Sequence, residues 1–137
     1  MDYELIDISG DVGIKAFGRD CAEAWVTAGI GMYGLITDLE KVAEGKTVEI
    51  AVTSDSPEGL LVKYLNELIF RFDTYYFIGK RIEVMEFTEG LIRVTVYGEE
   101  FDPRRHEQRL LLKAATYHNI KVKKSGDRCE VEVIFDI

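Results

Sequence analysis

Cysteine, histidine and proline are scarce in this chain of 137 residues, which contains two of each. So few cysteines exclude a disulfide-rich framework, and neither the cysteines nor the histidines have the spacing of a zinc site. One bridge between Cys21 and Cys129 stays open as an alternative. We expect instead that both are free, buried thiols in a reducing cytoplasm.

Long hydrophobic runs are also missing. No apolar run approaches the ~20 residues that a membrane span needs, so we expect no membrane association. The first residues lack the basic region and apolar core that are typical of a signal peptide. These absences together predict a cytoplasmic protein.

Positive charge is outnumbered by negative charge. The chain has 17 Lys and Arg residues against 25 Asp and Glu residues, which gives a formal net charge of −8. Such a charge repels phosphate backbones, so we expect no direct, tight binding of nucleic acid. A protein partner, a metal ion or a basic surface is favoured as the partner.

What the sequence does contain is the pattern of a single α+β domain over residues 1–137. Alternating apolar residues predict six or seven strands, in which antiparallel hairpins outnumber crossovers. Start signals at Asp20 and Ser56 predict two helices. We therefore expect a mostly antiparallel β-sheet with both helices packed on one face. The predicted strands cover residues 3–8, 12–17, 47–52, 80–87, 91–101, 110–123 and 129–137.

Alternation within the predicted strands indicates which side chains share the open face of the sheet. Asp11, Asp136 and Lys113 fall on that face together with Ala115, whereas His118 falls on the core face. Parity does not set the order of the strands, however. Charges scattered over the surface therefore stay open as the alternative to a site.

The last two residues suggest a metal site. Asp136 stands next to the carboxylate of Ile137, the last residue of the sequence. With Asp11, these groups would supply three oxygen ligands, the kind that Ca²⁺ and Mg²⁺ prefer. The sequence therefore predicts a site for a hard cation and offers nothing for a soft one.

Signatures of catalysis are absent from the sequence. There is no nucleophile elbow and no glycine loop that would hold a phosphate. His106 and His118 could serve as general bases or ligands, but a lone histidine is more often structural. Asn66 and Glu67 fall on the polar side of the second predicted helix, which is typical of a solvated face.

Four segments, in this order along the chain, nevertheless resemble one family. They are DISGDVGIKAFG near the start, YLNELIF in the second helix, YGEEFDPRRHEQRLLLKAATYHNI before the last strand, and the terminal DI. Together they closely resemble the archease family, and KAATYH with the terminal DI is the most specific part. The resemblance implies a small, acidic α+β protein that is an accessory factor of the GTP-dependent RNA ligase. That ligase joins exon halves in tRNA splicing and repairs RNA with 2′,3′-cyclic phosphate ends. The accessory factor promotes guanylylation of the ligase's active-site histidine and restores multiple turnover.

The resemblance also assigns roles to residues. Asp11 matches the last Asp of the family motif Asp/Glu-His-Thr-Ala-Asp, and Asp136 and the Ile137 carboxylate match the other ligands of a metal, usually calcium. Lys113 matches the lysine needed for activation, and we expect Asp7, which keeps its four-residue spacing from Asp11, to take part in activation too. The chain departs from the motif just after Asp7. Ile8 replaces the usual histidine, and Ser9 and Gly10 replace Thr-Ala.

Two other functions stay open. A general chaperone, an older proposal for this family, would need an exposed apolar patch. A stand-alone metal-dependent hydrolase would need a base or a nucleophile, and the sequence offers no convincing one.

Overall fold

The computed structural model describes residues 2–137, in which eight strands and two helices follow one another. A short 3₁₀ turn, Leu39–Lys41, follows the first helix. Neither helix is long and apolar enough to cross a membrane, as far as residues 2–137 are concerned. The elements are β1 (Asp2–Ile8), β2 (Asp11–Gly18), α1 (Cys21–Ile36), β3 (Lys46–Thr53), α2 (Pro57–Tyr75), β4 (Phe77–Thr88), β5 (Leu91–Glu100), β6 (Ala114–Ala115), β7 (Lys121–Ser125) and β8 (Arg128–Asp136).

The strands form two antiparallel sheets. One has the order β1-β2-β8-β6, with β7 also paired to β8, and the other has the order β3-β5-β4. The predicted α+β class with antiparallel strands is confirmed. The strands number eight and divide over two sheets, whereas the sequence indicated one sheet of six or seven. Both helices contact strands of both sheets, so one continuous core joins the two.

A two-residue turn joins β1 to β2 and fixes their register. Ser9 and Gly10 both have left-handed backbone angles, φ 54° and 85°, as a two-residue hairpin with the twist of the strands requires. Ile8 therefore pairs with Asp11, and Asp7 pairs with Val12. This turn places Asp11 at the first position of β2.

Helix α1 lies between the two sheets and is buried on most of its surface. Its first turn is capped by Asp20, whose carboxylate accepts a hydrogen bond of 2.8 Å from the Glu23 N–H. Gly29, costly in a helix, allows a close approach here. A Cβ at this position would lie 2.7 Å from the Tyr64 hydroxyl of α2 and 2.8 Å from Ile82 of β4. The missing side chain is what lets α2 and β4 pack against α1.

The two cysteines are paired, so the expectation of free thiols was wrong. Cys21 opens α1 and Cys129 lies near the start of β8, and the two form a disulfide with their Cα atoms 5.0 Å apart. They are 108 residues apart in the chain. Only the packing of α1 against β8 brings them together, and no local sequence signal reports that contact.

The segment 110–123 is not the continuous strand that the sequence predicted. It contributes β6, which is two residues long, and then the first residues of β7. Between them the chain leaves the sheet in a turn at Asn119, whose φ is 53°, and the Ile120 N–H donates to the Tyr117 carbonyl at 3.3 Å. The left-handed residue breaks the alternation, so faces assigned by parity across it do not hold.

Two parity assignments fail because only Ala114 and Ala115 of the segment before the turn pair as a strand. Ala115, expected on the open face, is buried in the core with 4% of its surface exposed. His118, expected on the core face, is exposed instead. On either side of the segment the alternation does hold, because Cys129, Val131 and Val133 of β8 are buried as predicted.

A buried histidine holds the loop that follows β5. His106 is 2% exposed, and its Nδ1 accepts the Asp102 N–H at 2.8 Å. The ring proton must therefore sit on Nε2, which donates to the Glu99 carboxylate at 2.9 Å. Glu99 also accepts from the Arg105 guanidinium at 2.7 Å and from the Ala43 N–H at 2.8 Å. Of the roles open for His106, the structural one fits these contacts.

These contacts change the acidity of Glu99. Its side chain is only 15% exposed, and the hydrogen bond from Arg105 is the main cause that lowers its pKa from 4.5 to about 2. The backbone N–H of Ala43 and the ring of His106 add to the effect, while burial opposes it.

Replacing Glu99 with Gln removes this charge and should give a pH-dependent loss of stability. Since the folded protein depresses the pKa of Glu99, its stabilisation is complete above pH 4.5 and is lost as the pH falls toward 2. We expect the Glu99→Gln variant to unfold at lower urea concentration than wild type near neutral pH. The difference in unfolding free energy between the two proteins should shrink as the pH falls from 4.5 toward 2. Urea titrations at several pH values measure it. A gap of constant size down to the acid limit would contradict this account.

Candidate functional site

Asp11 and Asp136 meet at one end of the five-stranded sheet. Asp11 opens β2 and Asp136 closes β8, and the neighbouring residues Val12 and Phe135 are directly paired. Continued one step beyond that pair, this register would set the two aspartates opposite each other on the same face. Cβ atoms of such opposed residues lie roughly 4.5–5.5 Å apart in antiparallel strands. Both aspartates are exposed.

Lys113 lies next to this pair through its backbone. Ala114 of β6 pairs with Asp136, and the Lys113 N–H donates to the Asp136 carbonyl at 2.8 Å. Lys113 is exposed, and within residues 2–137 its ammonium takes part in no ion pair. Lys113 is thus tied to Asp136 through the backbone, while Ala114, and not Lys113, is the residue paired with Asp136.

The asparagine of α2 holds this edge in place, and the interpretation of its position as a solvated face was wrong. Asn66 Oδ1 accepts the Ala115 N–H at 2.7 Å, and its Nδ2 donates to the Ala115 carbonyl at 3.1 Å. The side-chain amide thus pairs with the backbone of Ala115 as a neighbouring strand would. Because this contact spans 49 residues, helix periodicity alone could not indicate it.

Asp7 is not brought onto the same face as Asp11. Asp7 pairs with Val12 and Asp11 pairs with Ile8, and consecutive residues of a strand point to opposite faces. Asp7 is exposed beside the hairpin turn. The four-residue spacing in the sequence therefore places the two carboxylates at one hairpin but on its two sides.

His118 is a neighbour of Asp11 that sequence reasoning missed. Its Nε2 lies 3.8 Å from Asp11 Oδ2, and both side chains are at least half exposed. The alternation predicted a core position because it did not include the turn at Asn119. A polar run of Tyr-His-Asn, with asparagine at a left-handed position, is the signal that would have indicated an exposed turn.

The chemistry of these groups suits a hard cation. Within residues 2–137, no three His, Cys, Asp or Glu side chains form a group arranged to hold a metal ion. Asp11 and Asp136 provide two carboxylates, and the Ile137 carboxylate would be the third oxygen donor. This donor set fits Ca²⁺ or Mg²⁺, and the site stays a prediction.

Comparisons with known proteins agree over nearly the whole chain. A family model described as "Archease protein family (MTH1598/TM1083)" matches residues 3–137. A protein of Caenorhabditis briggsae named "Protein archease-like" is 34% identical over 138 residues, which cover 98% of this chain and 89% of that protein.

Solved structures share the fold. The solution structure of Methanobacterium thermoautotrophicum protein 1598 matches with a TM-score of 0.82 and 30% identity, over 98% of both chains. The crystal structure of a Thermotoga maritima protein, described as "an archease, possible chaperone", matches with a TM-score of 0.61 over 96% of this chain and 94% of that one. At 18% identity, the latter is a likeness of fold alone. By its sequence and its fold, this chain belongs to the archease family.

Proposed function

We propose that this chain is an accessory factor that activates the GTP-dependent RNA ligase of tRNA splicing and RNA repair. In this proposal it promotes guanylylation of the ligase and supports multiple turnover. One observation carries the proposal, namely that Asp11, Asp136 and the backbone of Lys113 lie at one end of the same sheet in a chain of the archease family. These are the positions to which the resemblance assigns activation and metal binding.

Several contacts favour an accessory role over a stand-alone hydrolase. His106 is buried and both of its ring nitrogens are engaged, by Asp102 and Glu99. Cys21 and Cys129 are consumed in the disulfide. A hydrolase needs a base within hydrogen-bond reach of a nucleophile or water. The groups that remain exposed at the site are the Lys113 ammonium, the carboxylates and the His118 imidazole beside Asp11, and the first two suit the binding of phosphates and cations.

Lys113 is suited to a charged partner because its ammonium is exposed and its backbone is fixed. The hydrogen bond to Asp136 and the Asn66 contact at Ala115 hold the backbone on both sides of Ala114. A lysine ammonium is a point charge that pairs well with a phosphate group. In this proposal, Lys113 acts on the phosphates of GTP or on an acidic group of the ligase.

Asp11, Asp136 and the Ile137 carboxylate would hold Ca²⁺ or Mg²⁺. A hard cation there would supply a positive charge able to orient phosphate oxygens. Without it, carboxylates held close together would repel one another. The chain has a net negative charge, which disfavours binding of RNA. In this proposal the ligase therefore binds the RNA.

A general chaperone is the second candidate. The description of the Thermotoga maritima protein favours it, and so do large exposed apolar side chains such as Leu111 and Tyr76. A chaperone would suppress aggregation of unrelated unfolded proteins at equimolar ratio. An accessory factor would act on the ligase at substoichiometric amounts and leave unrelated proteins unaffected.

Replacing Lys113 with Ala should abolish activation without unfolding the protein. The side chain is exposed, so we expect the free energy of unfolding to change by no more than about 0.5 kcal/mol. Transfer of GMP from labelled GTP to the cognate ligase measures the activity. Lys123→Ala is the matched control, because Lys123 is an exposed lysine of β7 that pairs with Glu130, away from Asp136. Full activation by the Lys113→Ala variant would remove this residue from the mechanism, and no effect of the wild-type protein on guanylylation would overturn the proposed function.

Metal binding should depend on the two aspartates and on the free C-terminal carboxylate. We expect Asp11→Asn and Asp136→Asn each to weaken Ca²⁺ or Mg²⁺ binding by about tenfold or more, because each removes a charged oxygen ligand. A short Gly-Ser extension after Ile137 should weaken binding too, whereas the same extension before Met1 should not. Isothermal titration with CaCl₂ and MgCl₂ measures the affinity. Normal binding by the C-terminally extended protein would leave the aspartates alone as ligands, and normal binding by both Asn variants would rule out the site.

A further inference from the structure

An apolar groove is lined in part by Lys113. It has a volume of about 710 Å³ and runs between the end of α2 and the loop after β5. We name it the Lys113 groove and define it by Phe72, Tyr76, Phe101, Leu111 and Lys113. Its size lies within the range of sites that enclose a small ligand, about 300–1,000 Å³, so several side chains of a partner would fit.

Two of the groove's apolar side chains are unusually exposed. Leu111 is 69% exposed and Tyr76 is 60% exposed, while the ring of Phe72 packs edge-on against Phe101 beneath them. Aromatic and aliphatic groups that stay in water next to a preformed apolar floor are typical of protein interfaces.

The backbone of Tyr76 is strained in a way that points to function. It follows α2 with φ 58° and ψ 26°, the left-handed position at which helices usually have glycine. A tyrosine is disfavoured there, and its mostly exposed ring gains little from packing. The backbone of Tyr76 caps α2 and accepts the Phe101 N–H at 2.7 Å, but glycine would serve that backbone better. The exposed tyrosine side chain is therefore reason to look for a role in binding.

The charges at the groove indicate the chemistry of the partner. Asp73 and Glu100 line it, and neither carboxylate takes part in an ion pair within the described part of the chain. Partial burial raises the pKa of Asp73, which means that its charge is poorly solvated. Carboxylates beside an apolar groove favour a partner segment that has a basic residue next to an apolar one.

We propose that the Lys113 groove docks a segment of the ligase that inserts an apolar side chain between Tyr76 and Leu111. A neighbouring Lys or Arg of that segment would lie against Asp73 and Glu100. This inference rests on the proposed function and adds to it the surface that is contacted. The groove borders Lys113, so a segment bound in it would bring the ligase next to the exposed ammonium.

Binding of the purified ligase to the full chain tests the groove. We expect Tyr76→Gly and Leu111→Ala each to weaken binding by about tenfold or more, as for central interface side chains. Leu5→Ala is the matched control, because Leu5 of β1 is 62% exposed and lies outside the groove. Tyr76→Gly should keep or raise the thermal unfolding midpoint, because glycine suits the left-handed backbone. A loss of binding with an intact fold is a result that a merely structural role of Tyr76 would not give.

The dependence of ligase guanylylation on the concentration of this protein separates the docking role of the groove from the activating role of Lys113. Groove variants should need more protein for half-maximal activation but reach the wild-type rate at saturation, whereas Lys113→Ala should lower the rate at saturation. Both Tyr76→Gly and Leu111→Ala are compared with wild type in ligase binding and in the concentration for half-maximal activation. If both values equal those of wild type, the docking role of the groove is wrong, while the proposed function stands. If the wild-type protein activates no ligase, the proposed function fails, and the groove's assignment to the ligase fails with it.

Discussion

The two hydrogen bonds between the Asn66 amide and the backbone of Ala115 are the constraint on which the site depends. Strand β6 has only two residues, too few to stay paired with β8 without further support. Removing Asn66 would leave a buried N–H and a buried carbonyl without partners, at a cost of about 1–3 kcal/mol each. By fixing Ala115, Asn66 fixes Lys113 against the carbonyl of Asp136 and thereby couples α2 to the aspartate pair.

The loop 102–113 is held at two further points, which makes its surface a defined one. Glu99 and His106 fix its start through buried hydrogen bonds. Near its end, the N–H groups of Arg109 and Leu110 donate to the last carbonyls of α1, each at 3.0 Å. A loop anchored in this way can present Leu111 and Lys113 in one arrangement, which reduces the entropy lost when a partner binds. The groove and the proposed activation site are therefore parts of one supported surface.

Local chemistry predicted much of this fold. The Asp20 and Ser56 caps marked the two helices, and the Ser9-Gly10 turn marked the first hairpin, because each signal depends on residues within one turn. Contacts between distant residues were not predictable in the same way. The disulfide, the Asn66 amide pair and the approach of His118 to Asp11 all depend on tertiary packing. For the site, parity put Asp11 and Asp136 on one face but failed at Ala115, because only two residues of the predicted long strand are strand before the chain leaves the sheet.

Hydrogen exchange at the backbone of Ala115 tests most directly whether Asn66 organises the site. The account predicts that the Ala115 and Lys113 N–H groups exchange slowly in the wild-type protein. In Asn66→Ala they should exchange about tenfold faster or more, since one hydrogen bond of this kind is worth about 1–3 kcal/mol when its buried partner is left alone. The amides in the middle of α1 should keep their protection, and activation of the ligase should fall in parallel. Unchanged protection of Ala115 and Lys113 in Asn66→Ala would contradict the account.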